Sequence, residues 1–147
     1  DPANVSLMGF SQGAYLTILS TERGLIERLS KHKFRAAIAF YPLCTGFKGV
    51  MTVPTLVLIG DRDDWTPAEA CRTMAEGLDD WGISCTKSNG PPVRLVIYPG
   101  AYHAFDIPEL QKPIQYFGHH LEFNKEATDQ SVVAVRNFLR SVSDENP

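Results

Sequence analysis

The segment Gly9-Phe10-Ser11-Gln12-Gly13 follows the short apolar run Val5 to Phe10, and at Ser11 the hydrophobic spacing changes from strand-like to helix-like. A strand that turns directly into a helix admits few folds, because the helix must return across the sheet the strand belongs to. The turn is so tight that side chains beside the serine must be absent, which accounts for glycine on both flanks. It leaves the Ser11 hydroxyl exposed at the carboxyl edge of the sheet. The backbone N–H of Gln12, at the helix N-terminus, then points to where an acyl oxygen would acquire negative charge.

The rest of the chain alternates strand-like and helix-like stretches. Ala14, Leu16, Ile18 and Leu19, then Leu25, Ile26 and Leu29, predict one or two amphipathic helical segments interrupted at Gly24. Ala36 to Tyr41 and Thr55 to Ile59 are apolar at nearly every position, as parallel strands covered on both faces require. Pro67 stands where a first helical residue would, ahead of Ala68 to Leu78. Val93 to Tyr98 reads as a strand after the turn-rich Ser88-Asn89-Gly90-Pro91-Pro92, and Ala127 to Val142 as a closing helix. Phe105 to Asn124, with Pro108 and Pro113, reads as a long surface loop or short irregular helices. The fold class is α/β, a mostly parallel sheet flanked by helices, with no internal repeat or linker.

Fourteen basic against seventeen acidic side chains, a formal charge of −3, supply no broad positive field, so nucleic acid is not an expected partner. The longest apolar runs fall far short of the roughly 20 residues a membrane helix needs, and no charged-then-apolar leader opens the sequence. A membrane partner is not expected either, and the compartment stays undetermined. Cys44, Cys71 and Cys85 form neither a disulfide framework nor a zinc spacing. Three unpaired, mostly buried thiols are the expectation. A Cys44–Cys71 bridge is the alternative, because both follow strand-like runs and could meet at one end of a sheet.

A serine hydroxyl needs a base to take its proton, and the base needs a carboxylate to hold its tautomer. His32 lies in Lys31-His32-Lys33, a solvated charged stretch, and the adjacent His119 and His120 tend to point apart. His103 stands just beyond the carboxyl end of the Val93 to Tyr98 strand, the edge where open α/β sheets place their sites. Gly60-Asp61-Arg62-Asp63-Asp64-Trp65-Thr66-Pro67 occupies the same edge after another strand. Pattern leaves Asp61, Asp63 and Asp64 open as the acid. Their mutual repulsion allows at most one or two to face inward.

With nucleophile, acid and base in that chain order, the sequence resembles the dienelactone hydrolase family of α/β-hydrolases from Asp1 to about Leu139. The resemblance is carried by Met8 to Ala14, Phe40-Tyr41-Pro42, Pro54 to Pro67, and Tyr98 to Asp106. It implies Ser11 as nucleophile, Asp63 as acid and His103 as base. It further implies Asp64 at a turn or helix N-terminus and Trp65 as a wall of the acyl pocket. The enzymes that name the family carry cysteine at the elbow, so Ser11 implies a general carboxylesterase rather than a hydrolase of cyclic dienelactones. The family fold also has several strands before the elbow strand, one of whose loops supplies a second oxyanion N–H.

With the nucleophile at residue 11, the chain corresponds to the C-terminal half to two-thirds of such a domain, a partial α/β-hydrolase fold without the N-terminal strands. The implied activity is hydrolysis of a small ester or lactone through an acyl-enzyme, with Gln12 holding the oxyanion and no metal or organic cofactor. The alternatives are a fragment with little activity, a non-catalytic binding protein, or a peptidase or acyltransferase using the same triad. An uncovered elbow strand would also leave a sheet edge open to self-association.

Overall fold

The computed structural model describes residues 4–78 and 90–144, so Cys85 and the start of the turn at Ser88 lie outside it. Strands β1 (Leu7–Phe10), β2 (Ala37–Phe40), β3 (Thr55–Gly60) and β4 (Val93–Tyr98) form one sheet in the order β1-β2-β3-β4. Every pairing is parallel. Helix α1 (Gln12–Thr21) connects β1 to β2, α2 (Ala68–Ala75) follows β3, and α3 (Lys125–Asp144) closes the described chain. The α/β reading thus holds, with the strands in nearly the expected positions.

The register sorts the helices by face. Gly9, Ala39, Val57 and Leu95 are successive partners and so share one face of the sheet, while Met8, Ile38, Leu56 and Arg94 share the other. Helix α1 lies against the first row: a Cβ on Gly9 would stand 2.2 Å from the carbonyl oxygen of Gly13 and 2.6 Å from Thr17 Oγ1. Helix α3 lies against the second, where Arg94 donates to Ser141 Oγ at 3.4 Å and sits 5.8 Å from the Phe138 ring centre. Arg35, just before β2, donates to the carbonyls of Val142 and Ser143 at 2.6 and 3.1 Å, satisfying acceptors that end α3. Strands β2 and β3 are buried at every residue, as covering on both faces demands.

β1 differs from the buried strand its apolar run suggests. Only Gly9 is buried, and Met8 and Phe10 are 51% and 42% exposed. Among the described residues β1 pairs only with β2 and is an edge of the sheet. The second apolar segment after Gly24 is a single 3-10 turn (Glu27–Leu29) with Leu25 and Leu29 about three-quarters exposed, not a packed helix. Pro67 immediately precedes α2 with extended ψ instead of opening it.

Two further expectations are corrected. Cys44 and Cys71 are joined by a disulfide, so these two thiols are paired; the bridge ties the segment after β2 to α2 across 27 residues. The stretch Phe105 to Asn124 holds a 3-10 turn (Pro108–Gln111) and an antiparallel hairpin of β5 (Ile114–Tyr116) and β6 (His119–Leu121). Three-residue strands around a Phe-Gly turn lack the longer alternation and the Asn-Gly or Asp-Gly pair by which hairpins are ordinarily read.

Candidate active site

All three singled-out groups meet at the carboxyl edge of the sheet. Ser11 has φ 52° and ψ −117°, a positive-φ conformation that costs a non-glycine residue about 1–3 kcal/mol. Its N–H donates to Phe40 O at 2.9 Å, and its carbonyl accepts from the Tyr15 N–H at 3.0 Å, so strand pairing and the first helical turn both fix it. Glycine at position 9 is required because the strand passes directly beneath the backbone of Gly13. The expectation for the other flank does not hold: a Cβ on Gly13 would meet none of the described residues within 4 Å.

Ser11 Oγ lies 2.9 Å from His103 Nε2, and His103 Nδ1 lies 2.8 Å from Asp63 Oδ2. Both His103 and Asp63 are buried, at 3% and 5% exposure, which excludes water from the pair. Asp63 Oδ1 accepts the Trp65 and Thr66 N–H groups at 3.0 and 2.7 Å, and Oδ2 accepts the Thr66 hydroxyl at 2.9 Å. A carboxylate held this way is an acceptor, so His103 donates from Nδ1 and turns a bare Nε2 toward Ser11. The Ser11 proton then has an acceptor in line.

The other two carboxylates of the turn have separate tasks. Asp61 Oδ1 accepts the Gly100 N–H at 2.7 Å, lacing the turn after β3 to the turn after β4. The same two turns touch where a Cβ on Gly60 would stand 2.0 Å from Ala101 O. Asp64 is exposed and accepts the His120 N–H at 3.2 and 3.3 Å through its two oxygens. It therefore tethers the hairpin, a role different from the turn or helix N-terminus expected of it. Only one of the three acids faces inward, within the limit their repulsion sets.

Several neighbours were not singled out from the sequence. Tyr41 lays its ring 4.7 Å from that of His103 and donates its hydroxyl to Asp106 Oδ1 at 2.7 Å. Burial first, and then the Asp106 and Asp63 carboxylates, push the Tyr41 phenol well above its ordinary range, so it stays a donor. Thr66 Oγ1 lies 2.9 Å from Asp63 Oδ2, 3.2 Å from Tyr41 O and 3.2 Å from His103 Nδ1, joining Asp63, His103 and the residue that follows β2. Tyr41, Thr66 and Asp106 all fall inside the motif stretches that carry the family resemblance, which is the signal the sequence holds for them.

A cleft of about 580 Å³ opens over Ser11 and Gln12, with Trp65, Thr66, Tyr116 and Phe117 across from them. Trp65 lines this cleft and packs on the His103 ring at 5.1 Å. His119 and His120 do point apart: the first stacks on Trp65, the second lies 4.0 Å from the Tyr102 ring. No group of three or more metal-ligating side chains occurs among the described residues, and no described helix is long and apolar enough to cross a membrane.

Comparison with solved structures places this geometry in a known fold. A protein of Klebsiella pneumoniae assigned as a dienelactone hydrolase matches with a TM-score of 0.63 at 20% identity, over 92% of this chain and 51% of its own. A dienelactone hydrolase-like promiscuous phosphotriesterase from metagenomic libraries matches with a TM-score of 0.67 at 16% identity, over 97% and 54%. Esterase PE8 matches with a TM-score of 0.55 at 24% identity, over 93% and 51%. The chain therefore spans about half the length of these structures, and at such identities the likeness is one of fold. A search of curated proteins gives no match. The sequence model of the dienelactone hydrolase family, however, matches residues 1–143, and with nearly the whole chain covered the protein belongs to that family.

Proposed function

We propose that this chain is the C-terminal portion of an α/β-hydrolase domain that hydrolyses small carboxylic esters or lactones through an acyl-enzyme on Ser11. The reading rests on one observation above others: the unbroken relay from Ser11 Oγ through His103 to buried Asp63, with links of 2.9 and 2.8 Å, opening on a cleft. His103 Nε2 takes the Ser11 proton as Oγ attacks the carbonyl, and Asp63 stabilises the imidazolium that forms. The Gln12 N–H, at the start of α1, faces the developing oxyanion. The proton on His103 then passes to the leaving alkoxide, and water activated by the same nitrogen releases the acid.

Covalent labelling by a fluorophosphonate is the appropriate test, because it reads activation of the nucleophile without requiring turnover. Full-strength labelling of the wild-type chain and none of Ser11→Ala is the expected result. Equal labelling of both would remove Ser11 from the role.

A further inference from the structure

Phe117 occupies a position that backbone preference does not explain. It and Gly118 are the two loop residues of the β5–β6 hairpin, with φ of 49° and 83°. A turn needing positive φ at both positions is best made by Asn-Gly, and a bulky side chain there is disfavoured by about 1 kcal/mol. Phe117 is also 80% exposed: its ring meets that of Tyr116 edge-on at 4.5 Å and that of Trp65 at 6.5 Å, yet most of its surface, and half of Tyr116, stays open. Both nevertheless line the cleft over Ser11.

The hairpin is fixed in place. Asp64 accepts the His120 N–H, the His119 ring stacks on Trp65 at 4.8 Å and 12°, and buried Leu121 bridges to the backbone of His103. The wall that Trp65, Tyr116 and Phe117 form is thus registered to the histidine of the relay. Tyr15 and Leu43 also line the cleft, and none of its lining residues is charged.

We infer that the hairpin is a specificity element: Phe117, with Tyr116 and Trp65, forms an aromatic subsite for a planar aromatic or conjugated group of an uncharged ester. Offset or edge-on ring contact in that subsite adds to the affinity of such a substrate over an aliphatic one. This deepens the esterase reading and rests on it for turnover, but binding tests it separately.

In a Ser11→Ala background, benzyl butyrate, ethyl phenylacetate and ethyl butyrate are titrated against tryptophan fluorescence, with and without Phe117→Asn. We expect the preference for at least one aromatic ester over ethyl butyrate to fall about 2- to 10-fold. Phe117→Tyr should keep the preference. Because asparagine suits the turn, the melting temperature of Phe117→Asn should hold or rise, which a merely structural role for Phe117 would not allow. Unchanged preferences for both aromatic esters, or a lowered melting temperature with no change in preference, would overturn the inference. Loss of Ser11 labelling in the wild-type chain would instead count against the catalytic reading, leaving the binding result to decide the subsite.

Discussion

The two sides of the proposed catalytic relay, acid–base and nucleophile, are held by different means. On the acid–base side, Asp63 has three donors besides His103, and the His103 ring is flanked by Tyr41 and Trp65. The turns that carry these residues are laced together through Asp61 and Gly100. On the nucleophile side, Ser11 follows β1, an edge of the sheet among the described residues with Met8 and Phe10 exposed, and its position depends on backbone geometry: one pairing bond to Phe40, one helical bond, and the close approach of Gly9 to Gly13. A charge that must stay buried needs redundant hydrogen bonds, whereas a hydroxyl needs only direction. Substitutions on the first side should therefore alter proton chemistry within an intact fold, and those on the second should alter the fold itself.

The largest effect is expected from Asp63→Asn. Its Oδ1 can still accept the Trp65 and Thr66 N–H groups, so stability should change little. The amide NH₂ facing His103 Nδ1 would favour the tautomer that carries its proton on Nε2, where it cannot accept from Ser11. Ester turnover should fall on the order of 10⁴-fold, with a melting temperature near that of the wild type. A variant that melted early and kept its residual turnover per folded molecule would reverse the assignment of this side.

The nucleophile side is probed by a pair of substitutions. Gly9→Ala would place a Cβ 2.2 Å from the backbone oxygen of Gly13, which cannot rotate away. A loss of about 3 kcal/mol in denaturant unfolding is expected, the upper range for overpacking. Gly13→Ala meets nothing among the described residues within 4 Å and lies in the first turn of α1, so it should be neutral or stabilise by up to roughly 1 kcal/mol. Similar losses at both glycines would erase the asymmetry between the flanks.

What could be read from the sequence follows the same division. Continuous apolarity marked β2 and β3, and the strand-to-helix change marked the elbow, because each is a local pattern with a period. The order Ser11, Asp63, His103 and their places after strands located the relay, although choosing Asp63 over Asp61 and Asp64 took the family resemblance. The contacts that hold the acid–base side are long-range: Tyr41 meets Asp106 across 65 residues and Thr66 meets His103 across 37, separations no periodicity reports. The hairpin escaped notice because its turn uses Phe117 where asparagine is usual. Exposure of the apolar residues of β1 could not be read from the run itself, since apolarity states what a strand can bury and not whether a neighbour covers it.

The smallest effect tests whether redundancy on the acid–base side extends to the strand behind it. Tyr98 ends β4 beside these turns and is 3% exposed, yet its hydroxyl has no hydrogen-bond partner among the described residues. Burial pushes its ionisation up to about 12. Tyr98→Phe removes an unsatisfied polar atom while keeping the ring that packs on Phe105 at 5.3 Å, so at pH 7 the change should be neutral or stabilising by no more than about 1 kcal/mol. Above pH 10 the sign is fixed by linkage. The unfolded phenol ionises near its ordinary value of about 10 while the folded one stays protonated to about 12, so the native protein loses stability as pH rises across that window. Tyr98→Phe should remove that part of the alkaline loss, measured as unfolding free energy against pH, and widen its advantage over the wild type between pH 10 and 12. An advantage that stayed constant across the window would mean that the phenol ionises alike in the folded and unfolded chain, and so that the hydroxyl is reached by water.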